Sequence, residues 1–313
     1  MLLKKDVSLK DLTNYKIGGN ADYFFDANTR ENLKKGLIEW HKVSKFQPFV
    51  MGAGTNLLVS EAGYRGLVIR NSIDGIQIQN GNVAVGSGVL VKDFLDFCVG
   101  NSLSGFEWAG GLPGTIGGAI RGNAGAFKGE TKDSLIKVTS INCDTLEIIE
   151  RNNKECIFGY RSSIYKKGEG EKEIIISAVF RLEKANKDEI KKQIEEKIQY
   201  RKDRHPLEFP NAGSVFKNIP FSILPQNLKL EWEPLIKNDP FPIIPVVKIL
   251  LQCDLWEKRI GGAKFSDKHP NFIVNTNNAK ASDVKALIEM AKREVYNKFK
   301  IQLEEEITYL GKF

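Results

Sequence analysis

Four short segments of this 313-residue chain combine residue types that could do chemistry. The first is Gly52-Ala53-Gly54-Thr55-Asn56-Leu57-Leu58, which follows the apolar run Phe49-Val50-Met51. A small-residue turn after a strand exposes backbone N–H groups, and a pyrophosphate is their natural occupant. A tight strand-to-strand turn would look the same. A Rossmann fingerprint is disfavoured, because the third glycine and the later acidic residue are missing. The second segment runs from Trp108 through Gly110, Gly111, Pro113, Gly114, Thr115, Gly117 and Gly118 to Asn123 and Gly125. So many glycines suit backbone lying flat against a planar or phosphate-bearing ligand, or close packing between strands. The third is Tyr160-Arg161-Ser162-Ser163. An arginine among turn formers is a surface residue, or a buried fork that grips a carboxylate or phosphate. The fourth, Ala212-Gly213-Ser214-Val215-Phe216-Lys217-Asn218, holds a serine after a glycine turn but lacks the frame of a nucleophile elbow. Near the end, Glu304-Glu305-Glu306 reads by itself as a solvated charge run.

Other chemistries are excluded more firmly. Four cysteines stand apart without a CxxC pair, and three histidines are far from one another, so neither a disulfide framework nor a zinc site is expected. No metal is called for. Lys and Arg number 46 against 39 Asp and Glu, a formal +7 that suits phosphate-bearing ligands but forms no basic tail. The longest uncharged stretch, residues 75–91, is broken by Gln, Asn and Gly, which leaves no transmembrane span, and the first residues lack a signal-peptide pattern.

The elements that must position these segments fall in two compositional halves. Residues 15–183 are rich in glycine and short apolar runs, with strands expected at 49–51, 67–69, 83–85, 138–141 and 174–181. Helices are expected at 32–41 and 91–99. A charged helix at 186–201 follows, with Asn186 as its cap and Ile190, Ile194 and Ile198 as a narrow stripe. Val284, Leu287, Ile288, Ala291, Val295 and Phe299 repeat at helical spacing over 282–300. The proline-rich stretch 218–245 has no periodicity and reads as a loop or inserted excursion. The class is α+β.

In order, these motifs resemble the UDP-N-acetylenolpyruvoylglucosamine reductase family. The resemblance runs from Thr13-Asn14-Tyr15-Lys16-Ile17-Gly18-Gly19 to Glu306 and includes Gly261-Gly262-Ala263-Lys264-Phe265-Ser266. It implies a two-lobed FAD-binding domain of the vanillyl-alcohol-oxidase type over 15–184, with lobes at about 1–70 and 71–184. A C-terminal α+β substrate domain over 185–313 would carry an atypical insertion at about 219–245. It implies non-covalent FAD, NADPH as reductant, and reduction of the enolpyruvyl group of a UDP-sugar in peptidoglycan precursor synthesis. By the same resemblance Ser214 is the proton donor, and Arg161 and Glu306 stabilise the enol intermediate. FAD would contact Gly52, Ala53, Gly54, Thr55, Asn56, Leu57, Pro113, Gly114, Thr115, Gly117, Gly118, Asn123 and Gly125, and the substrate Lys217 and Asn218. The implied protein is a cytoplasmic monomer with small-molecule partners, binding neither nucleic acid nor membrane.

The chain departs from the family pattern in three places. The stretch from Arg161 to Ile174 lacks the tyrosine-bearing insertion of one branch, so the chain resembles the shorter branch. Val246-Val247 stands where a small Ala-Gly pair is usual, and Thr308 where a basic residue is common. The alternatives are another FAD oxidoreductase of this fold with a different substrate, or a basic nucleotide- or RNA-binding protein without catalysis.

Overall fold

Three consecutive isoleucines, Ile174-Ile175-Ile176, need apolar cover on both faces of a strand. They receive it. Strand Glu173–Phe180 is the middle of an antiparallel five-stranded sheet, in the order Ile148–Asn152, Leu135–Asn142, Glu173–Phe180, Asn82–Gly86, Ile76–Gln79. Ser140 pairs with Ile175 and Thr139 with Ser177, so Ile176 is the extra residue of a bulge. Ile174 and Ile176 join one core with Leu33, Leu37 and Trp40. Ile175, Ala178 and Phe180 join a second with Phe94, Phe106 and Trp108.

This computed structural model describes residues 2–256 and 258–313. The chain divides into two units. One comprises residues 2–7, Ala21–Ala53 and Arg65–Arg201; the other comprises Ser8–Asn20, Gly54–Tyr64 and Lys202–Phe313. In the first unit, helix Arg30–Val43 is capped by Thr29, whose hydroxyl accepts from the Asn32 N–H at 3.0 Å. It buries Leu33, Leu37 and Trp40 at helical spacing. Strand Phe49–Met51 lies parallel to Tyr64–Asn71 and delivers the chain to Gly52. Helix Lys187–Arg204 begins where Asn186 Oδ1 accepts from the Asp188 and Glu189 N–H groups. Its Ile190 and Ile194 enter the second core.

In the second unit, helix Ala281–Phe299 buries the expected six apolar residues. Each of the larger ones, Val284, Leu287, Ile288, Val295 and Phe299, is worth roughly 1.5–3 kcal/mol when fully withdrawn from water. Its core is shared with an antiparallel sheet of Arg259–Ile260, Ala263–Phe265 and Ile273–Asn275. The loop expected at 218–245 is instead folded. Strands Ile219–Pro220, Lys237–Asn238 and Pro242–Ile244 form a small antiparallel sheet around helix Gln226–Trp232. Leu224, Leu228, Trp232 and Ile244 are buried in the same core.

Candidate active site

Within the second unit the serine motif and the terminal glutamates become neighbours. Phe216 and Glu305 form an antiparallel bridge. The Glu306 N–H donates to the Val215 carbonyl at 2.7 Å, and the Lys217 N–H to the Glu304 carbonyl at 2.9 Å. Ser214 follows Gly213, whose φ of +79° suits glycine and whose N–H donates to Asn211 Oδ1 at 2.9 Å. Asn271 holds the other side of this segment, accepting from the Val215 N–H at its carbonyl and from the Phe216 N–H at Oδ1. Ser214 and Glu306 are both half-buried.

A second clamp grips the glutamate segment. Asn56 Nδ2 donates to the Glu306 carbonyl at 3.0 Å, while the Thr308 N–H donates to the Asn56 carbonyl at 2.9 Å. Strand Leu57–Val59 then runs parallel to Thr308–Leu310. Asn56, expected from the sequence to serve the cofactor, has its amide spent on positioning Glu306. The charge run resolves into separate duties. Glu304 pairs with the buried Lys217, and Glu305 pairs with Lys292 at 3.0 Å, which raises the Lys292 pKa. Asn218 Oδ1 accepts from the Val246 N–H at 3.1 Å and so caps helix Val246–Leu250, where the Val-Val pair departs from the family pattern.

In the first unit, the two glycine-rich segments meet. A Cβ on Gly52 would lie 2.4 Å from Thr115 Oγ1. Thr115 caps helix Ile116–Gly122 by accepting from the Gly118 N–H at 3.3 Å. The Ile116 and Gly117 N–H groups donate to the carbonyls of Val89 and Ser87. This helix start therefore offers few open donors. The N–H groups of Gly52 and Ala53, by contrast, have no hydrogen-bond partner among the described residues. Gly54, Thr55 and Asn56 in the second unit likewise have N–H groups without such a partner. Open backbone donors beside small residues fit the pyrophosphate of FAD. Pro113, Gly114 and Gly118 remain at least partly exposed and put no bulky side chain in the way of a flat ligand.

Not every glycine belongs to that surface. Gly110 and Gly111 lie under helix Lys187–Arg204, where a Cβ would come within 2.6 Å of the Ile194 carbonyl oxygen and 3.0 Å of Arg201 Cδ. Close packing explains them. Asn123 is fully buried and structural on both ends of its amide, donating to the Gly159 carbonyl and accepting from the Lys132 N–H. Arg161 sits at the tip of a tight turn closed by mutual Gly159–Ser162 hydrogen bonds, with a φ of +53° that costs roughly 1–2 kcal/mol for a non-glycine. Half-buried, it donates from Nη2 to the Gly125 carbonyl at 2.7 Å. Nearby Arg201 was not singled out in the sequence, because its charge merges with the polar face of its helix.

Burial pushes the thiols of Cys98 and Cys143 up to about 12, which leaves them inert. Among the described residues no group of three His, Cys, Asp or Glu could hold a metal ion, and no helix is long and apolar enough to cross a membrane.

Residues 205–310 match the family model described as UDP-N-acetylenolpyruvoylglucosamine reductase, C-terminal domain, and residues 25–149 match an FAD binding domain. The UDP-N-acetylenolpyruvoylglucosamine reductase of Carboxydothermus hydrogenoformans is 38% identical over 301 residues, covering 96% of this chain and 91% of that protein. That of Caldanaerobacter subterraneus is 36% identical over 304 residues, covering 97% and 92%. The crystal structure of UDP-N-acetylenolpyruvylglucosamine reductase from Thermus caldophilus superposes with a TM-score of 0.75 at 27% identity, covering 99% of this chain and 100% of that one. The α+β expectation holds, with an FAD-binding domain followed by the family's C-terminal domain. With relatives this similar along nearly its whole length, the chain belongs to the UDP-N-acetylenolpyruvoylglucosamine reductase family.

Proposed function

We propose that this chain is an FAD-dependent oxidoreductase that reduces UDP-N-acetylglucosamine enolpyruvate to UDP-N-acetylmuramate with NADPH, in peptidoglycan precursor synthesis. Its family and its paired FAD-binding and C-terminal domains support the reaction. The observation that carries the residue roles is the 2.7 Å hydrogen bond from the Glu306 N–H to the Val215 carbonyl. It ties the residue after Ser214 to Glu306, and so brings a hydroxyl and a carboxyl from distant parts of the chain to one place.

The chemistry supplied by bound FAD is hydride transfer, taken from NADPH and given to the enolpyruvyl methylene carbon. Charge then develops on the substrate carboxylate. Arg161 and Glu306 are assigned to stabilise that charge, and groups fixed in advance lose nothing to reorganisation. Ser214 delivers the proton to the adjacent carbon, which completes the lactyl ether. Lys217 and Asn218 are assigned to the UDP-sugar. Residues 52–57, 113–115, 117, 118, 123 and 125 are assigned to the FAD site, Asn56 and Asn123 through the backbone they hold. FAD-binding lobes over residues 15–184, a substrate domain over 185–313, and a monomer working in the cytoplasm complete the proposal.

An anaerobic two-step experiment tests it. One equivalent of NADPH is added to the yellow protein, then the enolpyruvyl UDP-sugar, with flavin absorbance followed throughout. The wild type bleaches and recovers. Ser214→Ala bleaches normally but recovers about 100-fold or more slowly, the scale of a lost general acid. Normal recovery in that variant removes Ser214 from its role. Bleaching without recovery in the wild type means a different substrate.

A further inference from the structure

Arg201 is a half-buried cation with a donor left over. Its Nε donates to the Gly110 carbonyl at 2.9 Å, and its guanidinium carbon lies 5.5 Å from the centre of the Phe127 ring. Its Nη2 is buried and bonded to nothing among the described residues. Leaving such a group unpaired is costly, more so when it is charged. Burial first, and the charge of Arg161 in addition, pull the Arg201 pKa down to about 10, so Arg201 remains a cation at neutral pH. The same short stretch carries both contacts, since Arg161 holds the Gly125 carbonyl while Arg201 stacks two residues further on. Two guanidinium groups near enough to repel, one with a buried N–H to spare, are suited to an anion.

We infer that Arg201 is a second binder of the substrate's carboxylate, its Nη2 donating beside Arg161 to the enolpyruvyl group. This rests on the proposed reaction, in which Arg161 serves the enolpyruvyl end; its neighbour then serves the anion found there. The planar fork of arginine matches a carboxylate, and two such forks distribute its charge. Phe127 below and the Gly110 carbonyl fix the orientation before substrate arrives.

The test compares two ligands on oxidised holoprotein, each titrated by its perturbation of the flavin spectrum. UDP-N-acetylglucosamine enolpyruvate carries the carboxylate; UDP-N-acetylglucosamine keeps the diphosphate and sugar without it. Arg201→Met weakens the first by about 10- to 100-fold and changes the second by less than about twofold, while Arg201→Lys recovers part of the loss. FAD content, read from the visible spectrum, is unchanged in both variants. Equal weakening of both ligands overturns the inference, because Arg201 then serves the diphosphate or holds the fold. Unchanged binding of the enolpyruvyl ligand, or loss of FAD from both variants, overturns it too. A wild type that binds UDP-N-acetylglucosamine but not its enolpyruvyl ether refutes the proposed substrate, and the inference with it.

Discussion

Replacing Gly52 by alanine tests the contact on which the two glycine-rich segments meet. The backbone permits the change, since the Gly52 φ lies outside the left-handed region. Space does not. The new methyl would stand 2.4 Å from Thr115 Oγ1, 3.1 Å from its Cγ2 and 3.3 Å from its Cβ. Carbon atoms prefer about 3.5–4.0 Å, so the nearest atom is roughly 1 Å too close. Thr115 cannot swing away freely, because it bridges Leu90 and its hydroxyl caps the helix through Gly118. Overpacking of this kind costs about 1–3 kcal/mol, and a lost cap about 1 kcal/mol. Thr115→Ala alone loses only the cap. In the double variant the atoms at 2.4 and 3.1 Å are gone and the contact at 3.3 Å remains. The pair should therefore cost about 1–2 kcal/mol less than the sum of the single changes. Urea denaturation of the holoprotein, with FAD release followed by flavin fluorescence, measures all four corners of the cycle. Strictly additive costs would refute the assignment of the clash to Thr115.

Two further perturbations separate roles that the sequence left merged. Asn56→Ala removes the 3.0 Å hydrogen bond to the Glu306 carbonyl, and should slow substrate-driven flavin reoxidation about 10-fold at unchanged FAD content. A fall in FAD content with normal reoxidation per flavin would instead give that amide to the cofactor. Burial lowers the His269 pKa to about 4, against an unfolded value near 6.5. The unfolded chain binds the proton more tightly. Stability from this group is therefore whole above pH ~6.5 and falls as pH drops toward 4, by at most about 3 kcal/mol. His269→Phe should flatten the urea midpoint against pH over that window; an unchanged slope would contradict the linkage.

The long elements were legible because each repeats its pattern often enough to show a period. Helix Ala281–Phe299 displays six apolar residues on one face, and helix Lys187–Arg204 announces itself through Asn186 and an isoleucine stripe. Residues 219–245 defeated the same reasoning. Their helix Gln226–Trp232 is two turns long and their strands two or three residues, too short for any period to rise above the prolines. What holds them is tertiary, with Trp232 packed on Phe299 at 5.0 Å between ring centres. Glycine content was ambiguous in a different way. Absence of a side chain serves a ligand at one position and a crossing helix at another. Only the helix over Gly110 and Gly111 separates the two uses.

The same limit explains the glutamates. Three consecutive carboxylates normally mark a solvated surface, because like charges repel and nothing in a local window offsets them. Here every offset comes from far along the chain. Glu304 meets Lys217, and Glu305 meets Lys292 and, at 3.9 Å, Lys285. Glu306 is also held through its peptide groups, its N–H by Val215 and its carbonyl by Asn56. Both backbone bonds fix where the Glu306 residue sits relative to the serine motif. The run thus holds two ion-paired glutamates followed by the one whose backbone bridges to Val215 and Asn56. Moving the sequence by a single residue would exchange these partners, which no local window could show.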